Sequence, residues 1–300
     1  MRIAVILATA GRPEVVARAV EGLAHQSEPA ERLIVVGAAP EDVERVPAEA
    51  AGRPVEVAIA GRGLTIQRNH GIEMVKEDVD LIVFFDDDFA PSRFWLAQAR
   101  RLMMADGSVN AFTGRILADG IHGPGLGWET AEGIVAKEDA AALALLAGGR
   151  SLPHANAGDV PSYGCNMGFR MSAIGDQRFD ERLKLYGWQE DTDFSARARG
   201  TGKRVRFDEL WGVHLGVKSG RSPGIKLGYA QVVNVVYLMR KGTMTPGHAL
   251  PLLARNLVAN LVKSLRPEPE VDRKGRLKGN LRGLFDVLTG RAAPERVGTL

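Results

Sequence analysis

The chain has 300 residues, 45% apolar and 25% charged, the balance of a well-cored globular protein and not of a disordered one. Its one cysteine, Cys165, excludes an internal disulfide and suits a reducing compartment. Net charge is +3, but residues 251–300 hold ten Lys and Arg against five Asp and Glu, so a slightly acidic body carries a basic segment suited to an anionic surface.

Residues 3–8 form a continuous apolar run, which predicts a first strand buried on both faces. The run leads into Thr9 and Gly11-Arg12-Pro13 without a small-residue cleavage site, so it reads as a strand and not a signal peptide. Pro13 suits a first helical position, and Val15, Val16, Ala19, Val20 and Leu23 keep helical spacing. A second strand follows at 33–36, then Gly37-Ala38-Ala39-Pro40 and a polar helix, then a third strand at 55–60. A helix from 64 to about 77 precedes a fourth strand, Leu81-Ile82-Val83-Phe84-Phe85. This alternation predicts an α/β fold with a doubly wound, mostly parallel central sheet flanked by helices. Such sheets bind ligands at the carboxyl ends of their strands, where Thr9, Arg12, Arg68 and three aspartates fall.

Those aspartates, Asp86-Asp87-Asp88, end the fourth strand abruptly. At ~6–7 Å separation and an effective dielectric of ~20, each like-charged pair repels by about 2–3 kcal/mol. Asp86 and Asp88 fall on one side, since the side-chain period of a strand is 2. Either water solvates the three or a hard divalent cation, Mg²⁺ or Mn²⁺, sits among them with a substrate phosphate. No Gly-x-Gly-x-x-Gly follows the first strand, and no Gly-x4-Gly-Lys-Ser/Thr occurs anywhere, which disfavours a dinucleotide site and excludes a P-loop. A metal–diphosphate site remains, with Arg68 as a candidate phosphate partner.

Beyond the aspartates a helix is expected at 92–104 and a strand at 109–113. A glycine-rich run through Gly114, Gly120, Gly123, Gly125 and Gly127 reads as a mobile loop. A short helix at 140–147 and a loop at 148–162 follow. In Tyr163-Gly164-Cys165-Asn166-Met167-Gly168-Phe169-Arg170 the glycines would let backbone approach a ligand, with Asn166 and Arg170 as hydrogen-bonding groups. Tyr186-Gly187-Trp188-Gln189-Glu190-Asp191 brings aromatics up to carboxylates, as where a sugar stacks and a base works. Either Glu190 or Asp191 could be that base, and both also suit a helix start. A strand at 204–207 leads to His214. The flexible run 216–224 could close over a diphosphate and present two cations, Lys218 and Arg221. Helices are expected at 225–239 and 250–265, the second with Leu250, Leu253, Leu257, Leu261 and Leu265 in a stripe. That stripe suits either the core or a membrane surface. Residues 266–300 are polar and basic, with one apolar patch around Leu281, Leu284, Phe285, Val287 and Leu288. Phe285 is the one aromatic of the basic segment, which argues against nucleic acid. No run of about 18 uncharged apolar residues occurs, so no spanning helix is expected. The default expectation is a cytoplasmic protein, with peripheral contact on the inner membrane face through the carboxyl-terminal extension.

Taken together, the order Thr9-Ala-Gly-Arg12-Pro13, Arg68-Asn69-x-Gly71, Phe85-Asp86-Asp87-Asp88, Gly164-Cys-Asn166-Met-Gly-Phe-Arg170, Glu190-Asp191 and His214 resembles the inverting glycosyltransferase family 2, of the GT-A fold. The resemblance covers residues 1–215, a nucleotide-sugar half to about 113 and an acceptor half from about 114, and leaves 216–300 as a flexible loop and helical basic extension. It implies that a metal-dependent enzyme moves a sugar from a nucleotide-diphosphate sugar to a glycan or lipid-linked acceptor. Thr9, Arg12 and Arg68 would then contact the nucleotide and its diphosphate, with Asp86 and Asp87 near the ribose. Asp88 and His214 would hold Mg²⁺ or Mn²⁺. Asn166, Trp188 and Glu190 would face the acceptor, and Asp191 would be the general base. One departure stands out. The family's acidic residue after the second strand is replaced by Gly37, Ala38 and Ala39, with Asp42 as a substitute from the next turn. Two rival readings are a nucleotidyltransferase, disfavoured by the missing glycine- and lysine-rich amino-terminal signature, and a non-catalytic glycan- or membrane-binding module with a degenerate donor site.

Overall fold

The structure is a computed structural model that describes residues 1–149, 156–157, 159–220 and 222–300. Arg221 and much of the 148–162 loop, both singled out above, lie outside the described residues. The first half follows the expected rhythm: β1 (Ile3–Thr9), α1 (Pro13–Leu23), β2 (Arg32–Gly37), β3 (Glu49–Ala50), β4 (Arg53–Ile59), α2 (Leu64–Val75) and β5 (Leu81–Asp86). Strands β4, β2, β1 and β5 are neighbours in that order and all parallel. Alternate residues of β1 serve opposite faces, as a strand's period of 2 requires. Ile3, Val5 and Leu7 pack with Val16, Val20 and Leu23 of α1. Ala4 and Ile6 pack with Ile72 and Val75 of α2. The polar helix expected after β2 is a single 3-10 turn, Pro40–Asp42.

The second half adds β6 (Phe89–Pro91), α3 (Trp95–Ala105), β7 (Val109–Asp119), α4 (Trp128–Ala147), β8 (Asn156–Ala157), β9 (Asn166–Arg170), α5 (Met171–Ile174), α6 (Glu190–Ala198) and β10 (Lys203–His214). The sheet runs β3-β4-β2-β1-β5-β9-β7-β10-β6, with β8 paired to β10. Three expectations are corrected here. The glycine-rich stretch begins as strand, because β7 continues to Asp119 beside β10. The helix at 140–147 is the end of the much longer α4. The 163–170 motif ends in β9, which lies antiparallel between β5 and β7 in mid-sheet. There Gly168 serves packing, not ligand approach: a Cβ at that position would run into the Phe112 ring.

Three helices complete the chain, α7 (Gly224–Lys241), α8 (Pro246–Lys263) and α9 (Arg273–Leu288). The last was not expected from sequence. It lies close against α7, where a Cβ on Gly228 would strike the Arg276 backbone and one on Gly279 the Ile225 carbonyl. Leu183 joins Val235 and Leu238 of α7 and Ala249 and Leu252 of α8 in a separate apolar cluster. The bundle is also tied to α6: Lys241 Nζ lies 2.9 Å from Asp193, and Thr243 Oγ1 donates to Asp193 at 2.8 Å. No helix among the described residues is long and apolar enough to cross a membrane.

Candidate active site

The carboxyl ends of β1, β5 and β10 deliver Thr9, the three aspartates and His214 to one crevice. Asp87 points toward β1 and is fully buried. It accepts from Thr9 Oγ1 at 2.6 Å and lies 2.7 Å from the Arg12 guanidinium. Burial pushes this carboxyl up to about 7, with Asp88 adding to the rise and Arg12 and Thr9 opposing it. Asp88 lies 3.4 Å from His214 Nε2 and accepts from the Val217 N–H at 2.8 Å. Burial alone would raise Asp88; the hydrogen bond and charge of His214, with Arg12 and Val217, outweigh it and hold it down to about 2. Burial works the other way on His214, and its bonds to Asp119 and Asp88 prevail, raising it to about 10.

Asp86, Asp88 and His214 each offer a ligand atom, all within 4.8 Å of one another. The residues fit a divalent cation. His214 Nδ1 is engaged by Asp119 at 3.0 Å, the carboxylate–histidine arrangement that orients Nε2 as a ligand. Two carboxylates and an imidazole suit Mn²⁺ and its neighbours in softness. Asp119 also accepts from Tyr163 Oη at 2.9 Å and from the Ile121 N–H at 3.1 Å. Neither Asp119 nor Tyr163 was marked as functional by the sequence, although Tyr163 opens the second motif.

Arg68 departs from expectation. Its guanidinium is buried and committed: it pairs with Glu190, lies 3.0 Å from Asp86, donates to the Gly164 carbonyl at 2.9 Å, and sits over the Phe84 and Phe179 rings. It bridges the donor aspartates and the acidic start of α6 and is not a free phosphate contact. Arg12 is the cation that keeps partial exposure beside the aspartates. Lys218, expected to clamp a diphosphate, donates instead to the carbonyls of Gly120 and Ile121 at 3.0 and 3.2 Å. Asp42 accepts from the N–H groups of Gly11, Ala38 and Ala39 at 2.5, 3.1 and 2.9 Å, which fixes the loops after β1 and β2 against each other.

Of the acidic pair opening α6, Glu190 is buried on Arg68 and accepts from the Asp191 N–H at 2.5 Å. Burial pushes Glu190 up to about 8, helped by Asp191 and opposed by Arg68. It is therefore unavailable to an acceptor, contrary to expectation. Asp191 keeps partial exposure and accepts from the Gly164 and Thr192 N–H groups at 2.8 and 2.7 Å. Burial raises its carboxyl, while Thr192, Gly164 and Arg68 restrain the rise. Gln189, just before the helix, holds φ at +71°, as do Leu185 (+60°) and Gly187 (+66°) nearby. Left-handed non-glycine backbone of this kind persists only where surroundings enforce it. Trp188 is partly exposed, 6.3 Å from the Tyr186 ring, and its carbonyl accepts from Asn234 of α7 at 3.0 Å. Asn166 does not reach the crevice wall. It is fully buried, its side-chain oxygen accepting from Thr113 at 2.8 Å, so an acceptor contact there is not supported.

An acidic triplet at a strand end is met here by a histidine and by a partly exposed aspartate on a facing helix. Residues 4–123 match glycosyl transferase family 2. That family segment runs from β1 past β7 and includes Thr9, Arg12, Arg68 and all three aspartates. No curated protein matches the sequence. Solved structures do. S. aureus TarS 1-349 in complex with UDP-GlcNAc superposes with a TM-score of 0.58 at 15% identity, over 100% of this chain and 84% of that one. The mannosyltransferase PcManGT from Pyrobaculum calidifontis, in complex with GDP-Man and Mn²⁺, gives 0.52 at 15% identity, over 99% and 78%. The fold is thus that of the GT-A glycosyltransferases, and the match to glycosyl transferase family 2 covers two-fifths of the chain.

Proposed function

We propose that the chain catalyses inverting, metal-dependent transfer of a sugar from a nucleotide-diphosphate sugar to a hydroxyl of a glycan or lipid-linked acceptor. The observation that carries this reading is the Arg68 bridge. It ties Asp86, on the donor side, to Glu190 and so brings Asp191 to the same crevice. Asp86, Asp88 and His214 would hold Mg²⁺ or Mn²⁺, and such an ion would neutralise charge growing on the departing diphosphate. Arg12, beside Asp87 and Asp88, adds a protein cation at the same place. Asp191 takes the acceptor hydroxyl's proton. The freed oxygen bonds to the anomeric carbon while the bond from that carbon to the diphosphate oxygen breaks, its electron pair leaving with the nucleoside diphosphate. A single displacement of this kind needs one base and no enzyme nucleophile. Glu190, held on Arg68, leaves Asp191 as the carboxylate free to serve. Trp188 and Tyr186 offer faces for the acceptor sugar.

Two variants test this against a panel of nucleotide sugars with Mn²⁺. Asp191→Asn is expected to cut transfer by about 10²–10⁴-fold while calorimetric donor affinity stays within error; near wild-type turnover would remove Asp191 as the base. Asp88→Asn is expected to abolish the Mn²⁺-dependent part of donor binding. Equal affinity with and without Mn²⁺ in the unsubstituted protein would end the metal assignment.

A further inference from the structure

Helix α8 turns an almost wholly apolar face to solvent. Leu250, Val258, Leu261 and Val262 are all exposed, and at 100° per residue they fall within one ~120° arc of the helix; Leu265, just past its end, is 82% exposed. Helix α9 repeats the pattern in its last turns with Leu281, Phe285 and Leu288, the last 85% exposed. Rows of large apolar side chains turned to solvent on adjoining helices mark a binding surface.

Charge decides between occupants. Helix α8 contains no Asp or Glu, and the single acidic residue of α9, Asp286, is buried. Arg255 and Arg266 border the α8 face, and Lys274, Lys278 and Arg282 share the exposed side of α9. Among the described residues, no ion pair joins Arg255, Arg266, Lys274 or Lys278 to a carboxylate. A second copy of this chain docking through a symmetric contact would set the same cations against each other. An anionic bilayer meets both needs, taking the leucines below its headgroups and pairing its phosphates with the arginines and lysines.

We infer that the α8–α9 face is a peripheral docking surface for an anionic lipid bilayer. This rests on surface geometry alone and stands apart from the sugar-transfer chemistry. It would nevertheless matter to that chemistry, since the same bundle holds the Trp188 carbonyl through Asn234 and Asp193 of α6 through Lys241. Docking would set the acceptor side of the crevice at a fixed height over the membrane.

The test is flotation of the full chain with vesicles of phosphatidylcholine alone or with about one-third phosphatidylglycerol. Binding is expected to the anionic vesicles only, weakening as salt is raised. Leu261→Glu with Leu265→Glu, both at exposed positions and so tolerated by the fold, should lower partitioning by at least about tenfold without changing donor affinity. Lys278→Glu with Arg282→Glu should weaken binding and flatten its salt dependence. Absence of binding to anionic vesicles at low salt would overturn the inference, as would undiminished binding of the leucine variant. So would sedimentation showing a dimer that the leucine variant dissolves, which would give the face to a second copy.

Discussion

Glu190 shows how one side chain can be read two ways until its neighbours are known. By sequence it is the equal of Asp191, and both follow an aromatic approach. In the fold it is buried against Arg68 and its carboxyl stands at about 8 against an ordinary 4.5. A carboxyl raised in this way keeps its proton in the folded chain where the unfolded chain has already lost it. Its contribution to stability is therefore full below about pH 4.5, falls as pH rises, and is lost above about pH 8. Asp87, raised to about 7, adds a slope of the same sign that is largely spent by neutrality. Urea unfolding at a series of pH values should thus show the wild type losing stability relative to Glu190→Gln between about pH 5 and 8. Parallel curves for the two proteins would mean that Glu190 is ionised throughout and that Arg68, not burial, governs it.

At the scale of elements, what the sequence disclosed depended on whether burial alone dictated the pattern. Strands β1, β2 and β5 are buried on both faces, so their apolar runs are unbroken and their ends coincide with Thr9, Gly37 and Asp86. The acidic strand end could be read from that. Strand β9 could not. Its Asn166, Met167 and Gly168 look like loop, because what makes them strand is pairing with Phe85, Phe84 and Val83, some eighty residues away. Helix α9 was hidden for a related reason. Gly275, Gly279 and Gly283 weaken any helical reading, yet Gly279 is what allows α7 to approach so closely. The candidate base and candidate metal ligands were proposed from the order of motifs, whereas Asp119, which hydrogen-bonds His214, sits in a glycine-rich run and gave no signal. Arg68 was marked as important but given the wrong partner, since a phosphate and a buried glutamate look alike to an isolated arginine.

For the molecule as a whole, the open question is whether α7–α9 are an appendage or part of one cooperative structure. The contacts favour the second. Asp193, fully buried on the helix that begins with Glu190 and Asp191, accepts from Arg197 at 2.7 Å and from Thr243 at 2.8 Å, with Lys241 2.9 Å away. Lys241 also reaches Asp180 at 2.6 Å, where Tyr237 Oη donates at 2.7 Å. The carboxyl-terminal helices thus hold both the helix of the proposed base and the segment that leads into it. Replacing Asp193 with Ala leaves two cations without their shared anion, which for a partly solvated site costs about 3 kcal/mol. Equilibrium urea unfolding followed by tryptophan fluorescence and by circular dichroism should give one coincident transition, displaced as a unit to lower urea in Asp193→Ala. If instead the helices unfold in a separate step, and the substitution moves only that step, α7–α9 are an independent module. Bilayer docking through α8 and α9 would then leave the crevice unoriented, because that face reaches Asp191 through the bundle's contacts with Asp193 and the Trp188 carbonyl.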